Sequence, residues 1–195
     1  KGSGHITTEK RTVAGDFKGV KVSNAIELVI EQADKTEITV EADDNLQKSI
    51  LTEVENGVLI ISSESDMNIT NGKRKVWVKM PIIEELQASS ASQIRSANTL
   101  KGNQISIKTS SAASTDLDLE MDHIHCQSSS GSSLKIKGLA LKLEAKASSG
   151  SSLKLYKLLA NEVVADASSG ATIQVHPIIK LKAEASSGSS VDYDI

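Results

Sequence analysis

The sequence predicts an all-β protein that winds as a right-handed parallel β-helix, a solenoid of about five to six coils capped by a β-rich N-terminal part. Three observations support this prediction: a repeated serine-rich corner, alternating polarity on both sides of each corner, and a scarcity of aromatic residues. Of the 195 residues, 38% are hydrophobic but only 2% are aromatic. That composition suits a thin aliphatic core better than a wide globular one.

The serine-rich corner recurs at near-constant spacing through the second half of the chain. Its six copies have the following residues at their third position: Ala91, Ala112, Gly131, Gly150, Gly170 and Gly188. Successive steps are 21, 19, 19, 20 and 18 residues, and such a period indicates a solenoid. Glycine adopts positive φ at no steric cost and serine bonds to nearby backbone, so we predict that the four glycines are structural corner residues.

Each corner is flanked by two stretches of alternating polarity. The third residue after the corner forms one inward set: Ile94, Thr115, Leu134, Leu153, Ile173 and Val191. The seventh residue before it forms another: Ile105, Ile124, Leu143, Val163 and Leu181. Polar residues alternate with both sets, as expected for strands that bury one face.

Between the two sets the alternation changes phase, which predicts a further bend in each coil. Near Gly138, the inward residues Leu134 and Ile136 give way to Leu139 and Leu141. Two or three such breaks in a coil of about 20 residues suit a flattened or three-sided β-helix. The right-handed sense follows from the general preference of parallel crossovers.

We divide the chain into a flexible N-terminal tether (1–16), a β-rich capping part (17–86) and the Ser-Ser-Gly solenoid (87–195). Asn56-Gly57 lies between two strand-like runs and predicts a type I′ hairpin. Asp43 or Asp44 is predicted to cap a short helical turn. Residues 64–73 are predicted to form an exposed loop, and Phe17 and Trp77 to plug the core.

Charge and hydropathy argue against several classes of protein. The formal net charge is -3, and neither half of the chain is strongly basic, so nucleic acid is not an expected partner. The sequence contains no apolar run long enough for a transmembrane helix and shows no signal peptide. We expect membrane attachment only through an N-terminal anchor outside the given sequence, and we expect no cofactor.

The single cysteine and two closely spaced histidines are the candidates for a nucleophile and for metal ligands. Cys126 is the single cysteine, and it falls in an apolar ladder with Ala145, so we predict a core residue rather than a nucleophile. His123 and His125 share one face of a strand and are weak candidates for metal ligands. Two imidazoles with Asp122 nearby are a sparse ligand set, so we predict no metal site.

Several lysines lie on two adjacent predicted coils, with a tyrosine beside them. The candidate ligand-binding residues are Lys135, Lys137, Lys154 and Tyr156. Together they predict a shallow patch for an anionic ligand. The alternative, which the lysine pattern taken alone favours, is a solvated face that discourages sideways aggregation.

An acidic row, Asp116, Asp118 and Glu120, lies on the coil before these lysines. Exposed carboxylates are the catalytic groups of many glycosidases, whereas cross-strand ion pairs with Lys135 and Lys137 explain the row without catalysis. We therefore predict that the protein is not an enzyme. A carbohydrate-active β-helix enzyme is kept as an alternative.

Four features in a fixed order provide a family resemblance. They are the segments 17–30, 54–61 and 76–81, followed by the Ser-Ser-Gly corners. Their order resembles the putative auto-transporter adhesin, head GIN domain family of bacterial cell-envelope proteins. The resemblance implies a right-handed β-helix, export past the inner membrane, often by a lipoprotein signal, and residence in the periplasm or at the outer-membrane or cell surface. It brings no catalytic motif.

The function predicted from these features is that of a non-enzymatic, exported cell-envelope protein, an adhesin-type binding module that uses an exposed solenoid face. Its candidate partners are a surface glycan or a host protein. The main alternative is a structural scaffold whose bare C-terminal coil, ending in 191–195, forms a homo-oligomer with another copy.

Overall fold

The computed structural model describes residues 1–64 and 72–195. This part of the chain is all-β apart from a single-turn 3-10 helix, Gln47–Ser49. Its strands are β1 (Ile6–Arg11), β2 (Gly19–Val22), β3 (Glu27–Gln32), β4 (Glu37–Asp43), β5 (Ile50–Glu55), β6 (Val58–Ser63), β7 (Arg74–Met80), β8 (Glu85–Ala88), β9 (Gln93–Ser96), β10 (Leu100–Thr109), β11 (Ser114–Ser128), β12 (Ser133–Ala147), β13 (Ser152–Ala167), β14 (Thr172–Ala185) and β15 (Ser190–Tyr193). Most of the loop predicted for residues 64–73 lies outside the described residues.

Strands β10 to β15 form the body of a β-solenoid. β11 to β14 are 14 to 16 residues long because each runs through nearly a whole coil. Consecutive strands pair in parallel, so each coil lies on the one before. The stack has about six turns, which confirms the predicted fold. The right-handed sense of the coil stays a prediction.

Both predicted inward ladders are present. Thr115 lies between Ile94 and Leu134 in register, and the row continues through Leu153 and Ile173. The other ladder, which precedes the corners and begins at Ile105 and Ile124, is likewise in register from coil to coil. Because these side chains stack at the spacing of paired strands, about 4.8 Å, each coil covers the core of its neighbour.

The phase of the alternation changes later than the sequence predicts. Ala140 faces the core, whereas Leu139 and Leu141 point outward and are 51% and 56% exposed. Gly138, with φ of 128°, brings the backbone against Leu119 of the preceding coil. The alternation that turns Leu134 and Ile136 inward therefore continues through Gly138 as far as Ala140. The inward assignment of the two leucines was wrong because it treated hydrophobicity as sufficient evidence of burial.

Every solenoid corner turns through two consecutive residues with positive φ. The second serine has φ between 50° and 54°, and the next residue has φ between 60° and 76°. Ala91 and Ala112 adopt the same geometry as the glycines. Asn24 and Ala25, with φ of 62° and 58°, form a further corner. The sequence did not predict it because it lacks the Ser-Ser pair.

Serine at the fourth position of a corner ties adjacent coils together. The Ser151 hydroxyl donates to the carbonyl of Ser128 in the preceding coil at 2.7 Å and accepts from the Ser148 N–H at 3.2 Å. The Ser132 hydroxyl likewise donates to the backbone carbonyl of Thr109 in the preceding coil at 2.8 Å. These hydroxyls are buried. The structural role predicted for the corner serines therefore rests on buried hydrogen bonds between adjacent coils.

The N-terminal part is built into the solenoid and closes one end of it. β2 and β3 pair in parallel with β8 and β9, so the sheet runs without interruption across the predicted boundary between residues 86 and 87. β6 and β7 add to the other side of β2 and β3. Antiparallel strands β1, β4 and β5 then complete the cap.

Residues 6–11 form a strand where the sequence predicts a flexible tether. β1 pairs antiparallel with β4. The Arg11 guanidinium donates hydrogen bonds to the carbonyls of Ile50 and Gln47, each at 2.8 Å. The side chains of β1 are mostly exposed, so its sequence carries no apolar alternation that would have identified it.

The two short-range predictions near the cap have opposite outcomes. Asn56 and Gly57 have φ of 50° and 77°, as the predicted type I′ hairpin between β5 and β6 requires. The helical turn is preceded by Leu46 and has no side-chain cap. Asp43 instead accepts backbone N–H groups from Gly4 at 2.8 Å and Lys73 at 2.6 Å, which anchors the N-terminal segment.

Candidate functional site

One outward row of the solenoid contains the central pair of predicted binding residues. The row, called the front row below, follows the strand register through Val29, Arg95, Asp116, Lys135, Lys154, Gln174 and Asp192. Lys135 and Lys154 are direct register partners on β12 and β13, and both are exposed. Parallel pairing therefore places their Cα atoms about 4.8 Å apart.

The other two predicted binding residues lie beside this pair. Lys137 follows Lys135 by two residues and shares its face of β12. The pairing of β12 with β13 shifts by one residue just beyond Lys154, which leaves Tyr156 and Lys157 both exposed. The extra residue forms a β-bulge, a feature that redirects side chains at the edge of a surface.

The predicted cross-strand ion pairs are not formed. The register places Asp116 opposite Lys135 and Asp118 opposite Lys137, as expected. Asp118 instead accepts a hydrogen bond from the Thr99 hydroxyl at 3.1 Å. Within residues 1–64 and 72–195, neither lysine lies within 4.0 Å of a carboxylate. Exposed ion pairs contribute little, so these lysines extend into water.

A shallow concavity of about 360 Å³ lies along the front row. Lys135 and Lys154 line one part of it, and Arg95 and Asp116 line another. Arg95 is already paired with Glu27 at 3.3 Å. The lysines therefore provide the available positive charge of this concavity.

Trp77 covers one end of the front row instead of plugging the core. It lies opposite Val29 in register, and Arg95 lies on the other side of Val29. The Lys75 Nζ and Arg95 Cζ atoms are 4.6 Å and 5.9 Å from the ring centroid, distances typical of cation–π contacts. Val29 is fully buried between them. The core prediction was thus wrong for Trp77, whereas Phe17 does pack against the core.

His123 and His125 face a carboxylate of the next coil. The Nδ1 atom of His125 is 3.1 Å and the Nε2 atom of His123 is 3.8 Å from Oε2 of Glu144, while Lys142 lies 3.5 Å from Oε1. The hydrogen bond with His125 is the main cause that lowers the pKa of Glu144. Among the described residues, no group of three or more His, Cys, Asp or Glu is placed to hold a metal ion.

Family membership follows from a match over nearly the whole chain. Residues 16–194 match the model of the family described as "Putative auto-transporter adhesin, head GIN domain". The chain belongs to this GIN-domain family. No curated protein matches the chain.

Three solved structures share the fold of this GIN-domain chain. A putative adhesin from Bacteroides fragilis has a TM-score of 0.87 at 17% identity, with 98% of each chain covered. A putative lipid binding protein from Parabacteroides distasonis has a TM-score of 0.74 at 16% identity, and a putative adhesin from Parabacteroides merdae has 0.73 at 17%. Each of the latter two matches covers 100% of this chain and 98% of the other. At these identities the likeness shows the fold alone.

Cys126 of the GIN-domain chain lies in the core, in register with Ile107, Ala145 and Ala165. It is fully buried, and burial raises the pKa of its thiol to about 12. The corner glycines, in contrast, lie at the surface, where a Cβ on Gly150 would meet nothing within 4 Å. Within residues 1–64 and 72–195, no helix is long and apolar enough to cross a membrane.

Sequence reasoning missed an apolar strip on the side of the GIN domain. This side strip consists of Leu139, Leu141, Leu159, Ile178 and Ile179. Leu139 and Leu159 are register partners, and the two isoleucines are 55% and 74% exposed. A signal was available, because the register column of Leu139 also contains Glu120 and His176, which are rarely core residues.

Proposed function

We propose that this protein is a non-enzymatic, exported module of the bacterial cell envelope that binds an acidic surface polysaccharide through its front row. The observation that carries the proposal is the pair Lys135 and Lys154, stacked on adjacent coils and free of carboxylate partners within the described residues. Two like charges at this spacing repel each other. An anionic ligand that bridges them would relieve that repulsion.

The shape of the surface favours an extended polymer over an enclosed small molecule. The concavity is shallow and follows the stacking direction of the coils. Exposed Gln93 and Ser133 provide polar groups beside the lysines. A polysaccharide can repeat the same contacts from coil to coil, because a solenoid presents equivalent positions at a constant interval.

The acidic side chains give less support to the rival, a carbohydrate-active enzyme. A general acid needs a raised pKa, whereas the carboxyl pKa values that depart clearly from their ordinary range among the described residues, at Glu41, Asp43 and Glu144, are all lowered. Near the front row, Glu120 is engaged by Lys101 at 3.4 Å. The description of the family as an adhesin also agrees with a binding role.

Calorimetric titration with polygalacturonate as acidic probe and dextran as neutral probe tests the proposal. We expect saturable binding to the acidic polymer alone, weakening with added salt. Combined substitution of Lys135→Glu and Lys154→Glu should abolish it. The matched control, Lys108→Glu with Lys146→Glu, makes the same charge change at two exposed positions of β10 and β12 that lie outside the front row, and it should retain binding. Binding of neither polymer, or equal loss in both variants, would contradict the proposal.

A second candidate function is attachment to an anionic lipid surface through the side strip. Lys137 and Lys157 precede its leucines, and Lys142 and Lys180 lie on either side of Glu162 at its other end, so basic residues outnumber acidic ones along the border of an exposed apolar surface. Such a pattern suits the boundary between headgroups and acyl chains. A structural relative is named a putative lipid binding protein. Co-sedimentation with anionic but not zwitterionic vesicles, lost on Leu139→Ser with Leu141→Ser, would favour this function.

A further inference from the structure

Among the described residues, one strand edge at the C-terminal end of the solenoid has no paired strand. β15 covers only residues 172–175 of β14. The later part of β14, residues 180–185, pairs with β13 on one side, and no strand of the described residues pairs with its other side. This segment is called the terminal edge below.

The terminal edge carries unused backbone hydrogen-bonding groups. In the preceding coils, the carbonyls of Ala147 and Ala167 accept N–H groups from Ser168 and Ser186 of the next coil, each at 3.0 Å. Ala185 occupies the equivalent position in the last coil. Since backbone groups alternate along a strand, the N–H and C=O groups of Leu181, Ala183 and Ala185 point away from β13. They form a template for another strand.

The side chains at this end are unusually exposed for their positions. Ala183 and Ala185 are exposed, although their equivalents two coils earlier, Ala145 and Ala147, are only 1% and 3% exposed. At the same end of the solenoid, three large hydrophobic side chains are also exposed: Ile179 at 74%, Tyr193 at 61% and Ile195 at 93%. They add apolar surface to this end of the solenoid.

We propose that a second copy of this chain covers the terminal edge by antiparallel pairing about a two-fold axis at Ala183. In this register Lys182 lies opposite Glu184 of the partner subunit, and symmetry creates the same pair a second time. On the inward face, Leu181 meets Ala185 of the partner subunit. The backbone groups that point away from β13 then satisfy one another across the axis.

The charges select this register over its neighbours. A shift of two residues in one direction pairs Lys180 with Glu184 of the partner subunit twice but places Lys182 opposite its own symmetry copy. A shift in the other direction places Glu184 opposite its copy and leaves Lys182 opposite Ser186 of the partner subunit. Of these three registers, the one about Ala183 alone combines two attractive pairs with no like-charge pair. A shift by one residue would set polar side chains against the core face. Charge complementarity thus identifies a second copy as the partner, independently of any polysaccharide bound at the front row.

Sedimentation equilibrium of the full chain tests the pairing. We expect a dimer, weakened at least about tenfold in Kd by either Lys182→Glu or Glu184→Lys, because two attractive pairs become two repulsive ones. The double variant exchanges the charges and should restore dimerisation. The control Lys146→Glu, two coils away and in register with Glu184, should leave the dimer unchanged.

A cysteine at the axis gives a second, independent readout. Hydrogen-bonded antiparallel partners have Cα atoms about 5.5 Å apart, a distance that suits a disulfide. Oxidised Ala183→Cys should therefore form a covalent dimer, whereas Leu141→Cys, exposed elsewhere, should not. A monomeric wild type without cross-linking at residue 183, or a dimer indifferent to the charge substitutions, would overturn the proposal.

Discussion

Gly138 approaches the backbone of Leu119 so closely that a Cβ on residue 138 would lie 1.8 Å from the Leu119 carbonyl oxygen. The neighbour is backbone rather than a flexible side chain, so it cannot move aside. Gly138 also has φ of 128°, a conformation that side chains other than hydrogen strongly disfavour. This contact sets the path of the chain between the two inward ladders.

The first prediction is that Gly138→Ala destabilises the protein severely. We expect a loss of about 3–5 kcal/mol or failure to fold, because the clash and the backbone strain act together. Urea denaturation followed by circular dichroism measures the change. A loss below about 1 kcal/mol would mean that the coil relaxes here, contrary to the close approach described.

The second prediction separates backbone strain from steric contact at the corners. Gly150→Ala should cost only about 1 kcal/mol, because φ is 70° but a Cβ meets open space. The reverse change, Ala112→Gly, relieves the same strain at φ of 61° and should stabilise by a few tenths to about 1 kcal/mol. Equal and opposite shifts in urea midpoint would support a shared corner geometry, whereas losses in both variants would refute it.

The third prediction concerns the buried corner hydroxyls. Ser151→Ala removes the bond to the Ser128 carbonyl and should cost about 1–2 kcal/mol. Ala171 is the equivalent residue of the next corner and is fully buried. Ala171→Ser offers the missing hydroxyl to Ala147 and should be neutral or stabilising, which thermal denaturation can test. A destabilised Ala171→Ser variant would show that this corner lacks room for the bridge.

Repetition explains how much of this structure the sequence could predict. The ladder through Thr115 and Leu134 was found because each position recurs in every coil, and the hairpin at Asn56-Gly57 because its turn chemistry is local. β1 was missed because an exposed edge strand needs no apolar pattern. Leu139 was misplaced because the phase of its strand depends on a backbone contact with another coil, which single-strand alternation does not record.

The candidate site was only partly predictable for a related reason. Strand alternation places Lys135 and Lys137 on one face, and the repeat places Lys154 beside Lys135. The absence of ion pairs with Asp116 and Asp118 depends on side-chain rotamers and on competing bonds such as that from Thr99. Likewise, Trp77 was predicted to plug the core where the N-terminal part covers the solenoid, whereas its partners Lys75 and Arg95 hold it on the outer surface.

The fourth prediction is that the Cys126 thiol is unreactive in the folded protein. Burial excludes reagents, and a pKa raised to about 12 leaves almost no thiolate at neutral pH. An Ellman assay should detect no thiol in the native state and one thiol per chain in denaturant. Rapid native labelling at neutral pH would contradict the buried position between Ile107 and Ala145.

The fifth prediction links acid stability to Asp43. Backbone N–H bonds from Gly4 and then Lys73 lower the pKa of its carboxyl in the folded state. A depressed carboxyl pKa contributes stability above the ordinary aspartate value of about 3.9, and that contribution is lost as the pH falls through the lower, folded-state value. Asp43→Asn should therefore reduce stability at neutral pH, with the gap from wild type narrowing in acid.

Urea denaturation across a pH series measures this effect, with Asp34→Asn as the control. Asp34 is exposed and makes no side-chain hydrogen bond among those described, so its substitution should leave the pH profile parallel to that of wild type. The loss in Asp43→Asn should also free the N-terminal segment, because Gly4 and the start of β1 are held through this carboxylate. Faster proteolysis ahead of residue 12 at neutral pH, but unchanged protection of the solenoid, would connect the titration to this anchor. A constant stability gap at all pH values would instead assign the effect to packing.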